Sequence, residues 1–429
     1  MGIRNQVFAC SVVSYLCFST GIISCWPSSV MKVFSSENTT LNRVMTETEI
    51  SLLGGLPSFG ALCTIPLTGK VFDTLGRKYT IVMISLLQVI GWSIVCTFDY
   101  VLSTLIGFLI TGLSSCIYLS VPVYVGEFCQ ESIRGTMTSG VLVLFPVGWM
   151  FSYLLGMLEY HTMNYVCLTI SIVGTLLMFY LRESPLYLMK KDVTSETEKL
   201  HPNMKENKSL STWQFLKKSR STRRALLLSL VLYTAAIFQG QIVVQVYAEP
   251  LFSLAVPSMS ATLSSVLFAV VNIFAALFVV YLVDSSGRRP LMIYSSICTA
   301  VFAVALGSQI QFSWAPNWVT AVFIYLFCFT YTTGAGTIPF TMSAEIFLPD
   351  IKNFATIVSF EYLFLGFFFV LFVYNPIVAA VGLGPIFYMF AGVCVLTTIL
   401  CFFLMPETKG LTVDVIQHQF CSPKAQNSE

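Results

Sequence analysis

Twelve apolar runs, each close to the ~20 residues that carry a helix across a bilayer, dominate this chain. They lie at roughly 7–32, 50–69, 79–97, 101–125, 136–157, 163–181, 225–248, 260–283, 291–310, 317–342, 355–379 and 384–405. Hydrocarbon offers no partner to a bare peptide group, so runs of this length are expected to cross as helices. On hydropathy alone, ten or eleven spans with one re-entrant run is also open. Charged side chains make up 10% of the 429 residues, far below the ~25% of soluble domains, so most of the chain belongs in lipid. A net charge of +2 leaves no electrostatic footprint for nucleic acid.

The first run, from about Val7, is too long for a signal-peptide core and no small-residue cleavage site follows it, so it is expected to stay as a span. The start Met1-Gly2-Ile3-Arg4-Asn5-Gln6 departs from the myristoylation pattern at Gln6. Of thirteen cysteines, Cys10, Cys17, Cys25, Cys63, Cys96, Cys116, Cys167, Cys298, Cys328, Cys394 and Cys401 fall inside apolar runs, where cysteine acts as a small hydrophobe. Neither a disulfide framework nor a metal-ligand spacing emerges, and no metal or cofactor is expected. His161, His201 and His418 sit in loops or the tail without a nucleophile–base constellation, so an enzyme is not expected.

Charge bias sets an orientation. With both termini in the cytoplasm, only Lys32 and Arg43 of the 23 basic residues lie outside, as positive-inside bias requires. The expected setting is a multi-pass plasma-membrane protein. The first outer loop then carries the sequon Asn38-Thr39-Thr40 on the glycosylated side, while Asn207-Lys208-Ser209 falls on the wrong side. A polar segment at 182–224, with 11 Lys and Arg against 5 Asp and Glu, separates six spans from six. The expected organisation is a half at 1–181, a linker with short helices at 182–224, a second half at 225–405 and a tail at 406–429. The linker's basic excess suits a solvated connector or anionic headgroups.

The charges themselves repeat. Gly69-Lys70-Val71-Phe72-Asp73-Thr74-Leu75-Gly76-Arg77-Lys78 lies between the second and third runs, and Asp284-Ser285-Ser286-Gly287-Arg288-Arg289 between the eighth and ninth. Glu127 precedes Arg134 by seven residues after the fourth run, as Glu345 precedes Lys352 after the tenth. A single such site would be ordinary surface charge. Four at matching places in two halves suggest a gate on the cytoplasmic side, because pairs that bridge the halves form when that side closes and separate when it opens. Each exposed pair contributes only ~0.2–1 kcal/mol, so the effect would come from several together.

On these residues the chain resembles the sugar porter family of the major facilitator superfamily, and looks closest to the insect facilitated trehalose transporters. The matching residues are Gly69, Asp73, Gly76, Arg77 and Lys78, then Pro122, Tyr124, Glu127, Arg134 and Gly135, then Asp284, Gly287, Arg288, Arg289, Glu345 and Pro349. Pro406-Glu407-Thr408-Lys409-Gly410 matches the family's exit motif unchanged, and Arg182-Glu183-Ser184-Pro185-Leu186-Tyr187-Leu188 matches its sixth-span motif in part. The resemblance implies an all-α membrane fold of twelve transmembrane helices in two pseudo-symmetric six-helix halves. It also implies facilitative transport of a small-molecule sugar, trehalose or a hexose, by alternating access.

The implied substrate contacts are thinned. Asn272 matches a sugar-contacting Asn of the family, but Leu142, Ala236, Ile237 and Ile242 stand where the family carries Gln, Gln, Gln and Asn, and Phe340 replaces a Trp. Sugar hydroxyls left unpaired cost ~1–3 kcal/mol each. Gln239, Gln241 and Gln245 around Gly240 either rebuild a polar wall in shifted register or serve as interhelical hydrogen bonds. Ser19 and Gly107 stand where proton-coupled members carry Asp and Arg, which favours facilitated diffusion. Against this, Glu361 is a carboxylate well inside a span, a functional candidate by position. It accepts substrate hydroxyls, titrates with transport, or stays protonated against a neighbouring helix. The other classes open are a proton-coupled or non-sugar solute carrier of the same fold and a transport-deficient sugar sensor. No feature of the sequence sets an oligomeric state.

Overall fold

The computed structural model describes residues 3–185, 187–189, 219–411 and 413–421. Most of the expected linker, with Asn207, lies outside the described residues, as do the side chains of Arg134, Leu142 and Asp284.

Eleven described helices are long and apolar enough to cross a membrane, and the fifth span, Glu131–Leu155, with its apolar part at Val143–Leu155, completes twelve. Spans one to three are Ile3–Phe34, Glu47–Leu75 and Arg77–Thr97; the fourth is Val101–Leu113 and Ile117–Phe128, joined by a 3-10 turn at Ser114–Cys116. Span six is Tyr160–Phe179. Span seven comes in three pieces, Arg220–Phe238, Gln241–Val246 and Ala248–Ala255, and span eight is Ala261–Ser286. Span nine is Arg288–Phe312, span ten is Asn317–Thr333 with Ile338–Glu345, and spans eleven and twelve are Pro349–Val381 and Leu383–Leu404. A short helix, Val413–Cys421, closes the described chain. Several spans outrun their apolar runs, because a helix continues into polar residues wherever a cap or a packed neighbour satisfies its end.

The first and last described segments, near Gln6 and Phe420, lie on one side of the bundle, here the terminal face; the loop before span two lies on the opposite, distal face. The two halves repeat one another: span three packs on four and six as nine packs on ten and twelve, and two packs on four as eight packs on ten. The halves meet along two long seams, span two on eleven and span five on eight. A buried cluster crosses between them on the distal side, where Cys25, Met31 and Tyr153 join Val243, Tyr247, Phe252 and Phe268. Towards the terminal face, the first half's cluster takes in Phe360 and Phe364 of span eleven. The outward-pointing faces are apolar too, with Leu102, Tyr281, Phe312 and Phe403 exposed, as suits side chains solvated by lipid.

Local sequence explains where the helices break. Gly240 adopts φ 95° and ends the long piece of span seven, since a left-handed residue cannot propagate a right-handed helix. Gly334 and Gly336 interrupt span ten ahead of Pro339, which sits in the first turn of the next piece. Thr46 and Glu49 form a reciprocal capping box that starts span two.

Candidate functional site

The terminal face carries one device twice. Gly76 holds φ 89° and Gly287 φ 86°, and the next residues, Arg77 and Arg288, open spans three and nine. The first backbone N–H groups of a helix have no partner within it, and glycine offers no side chain to cap them. The caps come from elsewhere in the chain. Glu183, just past span six, accepts from the N–H of Arg77 at 2.8 Å and of Lys78 at 3.2 Å. Glu407, just past span twelve, accepts from the N–H of Arg288 and of Arg289 at 3.0 Å. A Cβ on either glycine would meet the capping carboxylate.

Each arginine then binds its own half's glutamate. Arg77 donates from Nε and Nη2 to both oxygens of Glu127, at 2.9 and 2.8 Å, and from Nη1 to the Phe72 carbonyl. Arg288 donates to Glu345 Oε1 at 2.8 Å and to the Val283 carbonyl at 3.0 Å. The hydroxyls of Ser184 and Thr408 complete the two carboxylates, at 2.7 and 2.6 Å. Both glutamates are thereby tied to the strand of chain that leaves the last span of their half. Burial pushes the Glu407 carboxyl up, but the N–H donors of Arg288, Lys409, Arg289 and Thr408 outweigh it and hold it below the ordinary carboxylate value.

The remaining gate candidates are placed as follows. Gly69 faces Ile357 of span eleven, and Asp73 is exposed in the last turn of span two. Arg289 bonds the Phe402 carbonyl and stacks over that ring, and Lys352 bonds the Ala344 carbonyl. Among the described residues the ion pairs of this face, Arg77–Glu127 and Arg288–Glu345, lie within a half. In both, the guanidinium is taken up by the glutamate of its own half; the expected gate side chains Arg134 and Asp284 lie outside the described residues.

The distal face is arranged the other way. Hydrogen bonds there run between halves: the Glu249 N–H to Ser28 Oγ at 2.8 Å, the Tyr153 hydroxyl to the Gln245 carbonyl at 2.7 Å, and Asn375 Nδ2 to Ser51 Oγ at 3.0 Å. Asn38 lies exposed in the loop on this face.

Between the faces, the break at Gly240 separates Gln239 from Gln241 and Gln245, which share the next helical piece. Gln241 donates to Asn272 Oδ1 at 2.7 Å, and Thr332 donates to the same oxygen at 2.9 Å, joining spans seven, eight and ten. Gln239 reaches Ser296 of span nine at 3.4 Å, and Gln245 supplies its carbonyl to Tyr153. Phe340 is part-exposed, edge-on to Tyr233 and Phe360. Glu361 shares a helical stripe with Ile357 and Phe368, which pack on Gly69 and Gly55 of span two, so it sits at the seam of the halves. Among the described residues, Oε1 of Glu361, Gln239 and Gln241 and the indole N–H of Trp149 are buried without a hydrogen-bond partner. Sequence reasoning passed over Trp149, Thr332 and the stacked pair Tyr118–Phe145, 4.4 Å apart. Their signal was an indole, a hydroxyl and a phenol within apolar runs.

Two repeated six-span halves, sealed to each other on one face and braced internally on the other, define a membrane carrier of the major facilitator fold. The chain belongs to the sugar (and other) transporter family, whose model matches residues 7–420. The facilitated trehalose transporter Tret1 of Culex quinquefasciatus is 26% identical over 97% of this chain and 86% of its own length. That of Bombyx mori is 25% identical over 97% and 87%. Among solved structures, the inward open conformation of the xylose transporter XylE from E. coli superposes with a TM-score of 0.77 at 19% identity, covering 96% of this chain and 98% of that one. A crystal structure of the D-xylose-proton symporter gives 0.75 at 20% identity, over 96% and 100%.

Proposed function

We propose that the protein moves trehalose or a hexose down its gradient across the plasma membrane, by rocking the 1–181 and 225–405 halves about a central site. In this reading both termini and the 182–224 linker are cytoplasmic, the distal face is extracellular, and Asn38 carries glycan. The observation that carries it is the set of hydrogen bonds that bridge the halves on the distal face, in a chain that matches a sugar transporter family over residues 7–420. Substrate hydroxyls would pair with the unpartnered amide oxygens of Gln239 and Gln241, with Asn272 and with the Trp149 indole, against the aromatic walls of Tyr118, Phe145 and Phe340. The terminal-face residues Gly69, Asp73, Gly76, Arg77, Lys78, Glu127, Arg134, Asp284, Arg288, Arg289, Glu345 and Lys352 set the balance of inward and outward states, with Arg77–Glu127 and Arg288–Glu345 bracing each half.

Counterflow of a sugar panel, including trehalose and glucose, in liposomes with and without a proton gradient tests this. Equilibration of one sugar without a gradient is the expected result; failure of every sugar to exchange overturns it. The unpartnered Glu361 carboxyl at the moving seam supports a second reading, proton-coupled uptake. Glu361→Gln would then abolish the pH dependence of uptake, whereas an unchanged pH profile removes Glu361 from coupling.

A further inference from the structure

The distal seal brings an acid of one half and a base of the other to neighbouring places, which the terminal-face repeat does not foreshadow. Span seven restarts at Ala248, so the N–H of Glu249 lies in the first turn of a new helix, where the helix itself provides no acceptor. Its cap, Ser28 Oγ, comes from span one of the opposite half. Lys32 follows Ser28 by one turn on the same face of span one, which sets its ammonium on the side of span one that meets the Glu249 end of span seven. That carboxylate is half-buried and steadied from its own half by the Thr262 hydroxyl at 3.5 Å. Lys32 itself is exposed. An acid fixed to one half thus faces a base fixed to the other, beside a hydrogen bond that already joins the halves.

We propose that Lys32 and Glu249 form an electrostatic latch across the distal seam, in which the two charges attract when spans one and seven close and separate when the carrier opens on that side. The latch rests on the alternating-access reading, but not on which solute is carried. Serine 28 sets the register: its bond to the Glu249 backbone holds the two side chains opposite each other. Because one partner is exposed, the attraction is modest, and its loss shifts the closed-to-open ratio by roughly two- to fivefold. Salt screens it for the same reason.

Hydrogen–deuterium exchange of the full chain in lipid nanodiscs, without added sugar, tests the latch. Lys32→Gln and Glu249→Gln should each speed exchange in the peptides spanning 24–34 and 241–255 by roughly two- to fivefold. The double neutralisation should do no more than either alone, and the swap Lys32→Glu with Glu249→Lys should restore slow exchange. Ser28→Ala should loosen the same peptides while weakening the coupling between the two charges. Unchanged exchange in both single variants overturns the latch. So do additive single effects that the swap fails to rescue, since these would mean two independent local losses. A carrier that transports no sugar at all, yet passes this test, would refute the proposed function and leave the latch standing.

Discussion

The two faces of this protein use the same groups for opposite ends. On the terminal face, arginines, glutamates and backbone N–H groups are tied within each half, by bonds that join the end of a half to its own interior. On the distal face, single hydrogen bonds run from one half to the other. Charge-assisted contacts therefore brace each half, and single neutral hydrogen bonds, with the proposed Lys32–Glu249 attraction beside one of them, hold the halves together. That division suits a molecule that must separate two bodies without deforming either, because a bond broken in every cycle has to be cheap.

The comparison breaks most readily at Arg77. Arg77→Ala removes a forked ion pair, a carbonyl bond and two aromatic contacts at once. It should cost about 2–3 kcal/mol of stability, discounted from the value for a fully buried pair, and slow turnover more than it weakens sugar binding. Thermal unfolding in detergent beside counterflow rates checks this, and Arg77→Lys should recover only part of the loss because an ammonium cannot fork. Next come Gly76→Ala and Gly287→Ala, which force a Cβ into a left-handed residue and against the capping carboxylate; each should cost ~1–3 kcal/mol, by similar amounts if the halves are equivalent.

Tyr153→Phe and Asn375→Ala each delete one distal hydrogen bond, worth ~0.5–1.5 kcal/mol. They should leave unfolding temperatures nearly unchanged and shift the population towards distal opening, read by hydrogen exchange. Distal variants that lowered stability more than Arg77→Ala would overturn the contrast. The smallest effect is a pH dependence. Glu407 is held below the ordinary carboxylate value in the folded protein, so its contribution is present above the unfolded value and is lost as pH falls through the folded one. Glu407→Gln should therefore flatten the acid limb of a stability–pH profile.

Much of this was legible in the sequence. Hydropathy counts the spans, and the repeat of Gly-Arg turns and Glu residues shows the two halves. Lateral neighbours were not legible. Spacing along the chain puts Glu127 and Arg134 together, but Arg77 reaches Glu127 from another helix, since a helix start and a helix end that are distant in sequence meet at the same face. Glu183 and Glu407 stood in motifs already noticed, yet their capping role appears only once the glycine N-termini of spans three and nine are seen to lack caps of their own. The glutamines of span seven were misleading in another way. Gln241 and Gln245 remain one turn apart within Gln241–Val246, but the break at Gly240 sets Gln239 apart from them, so Gln239 reaches span nine while Gln241 reaches spans eight and ten.

That break has a mechanical consequence. Pieces of six and eight residues carry few internal bonds, so the outer end of span seven can swing as a flap on a stiff stem rooted among the terminal charges. The flap should open or shut before the stem moves, and the carrier should therefore pass through an enclosed state in which its cargo touches neither aqueous phase.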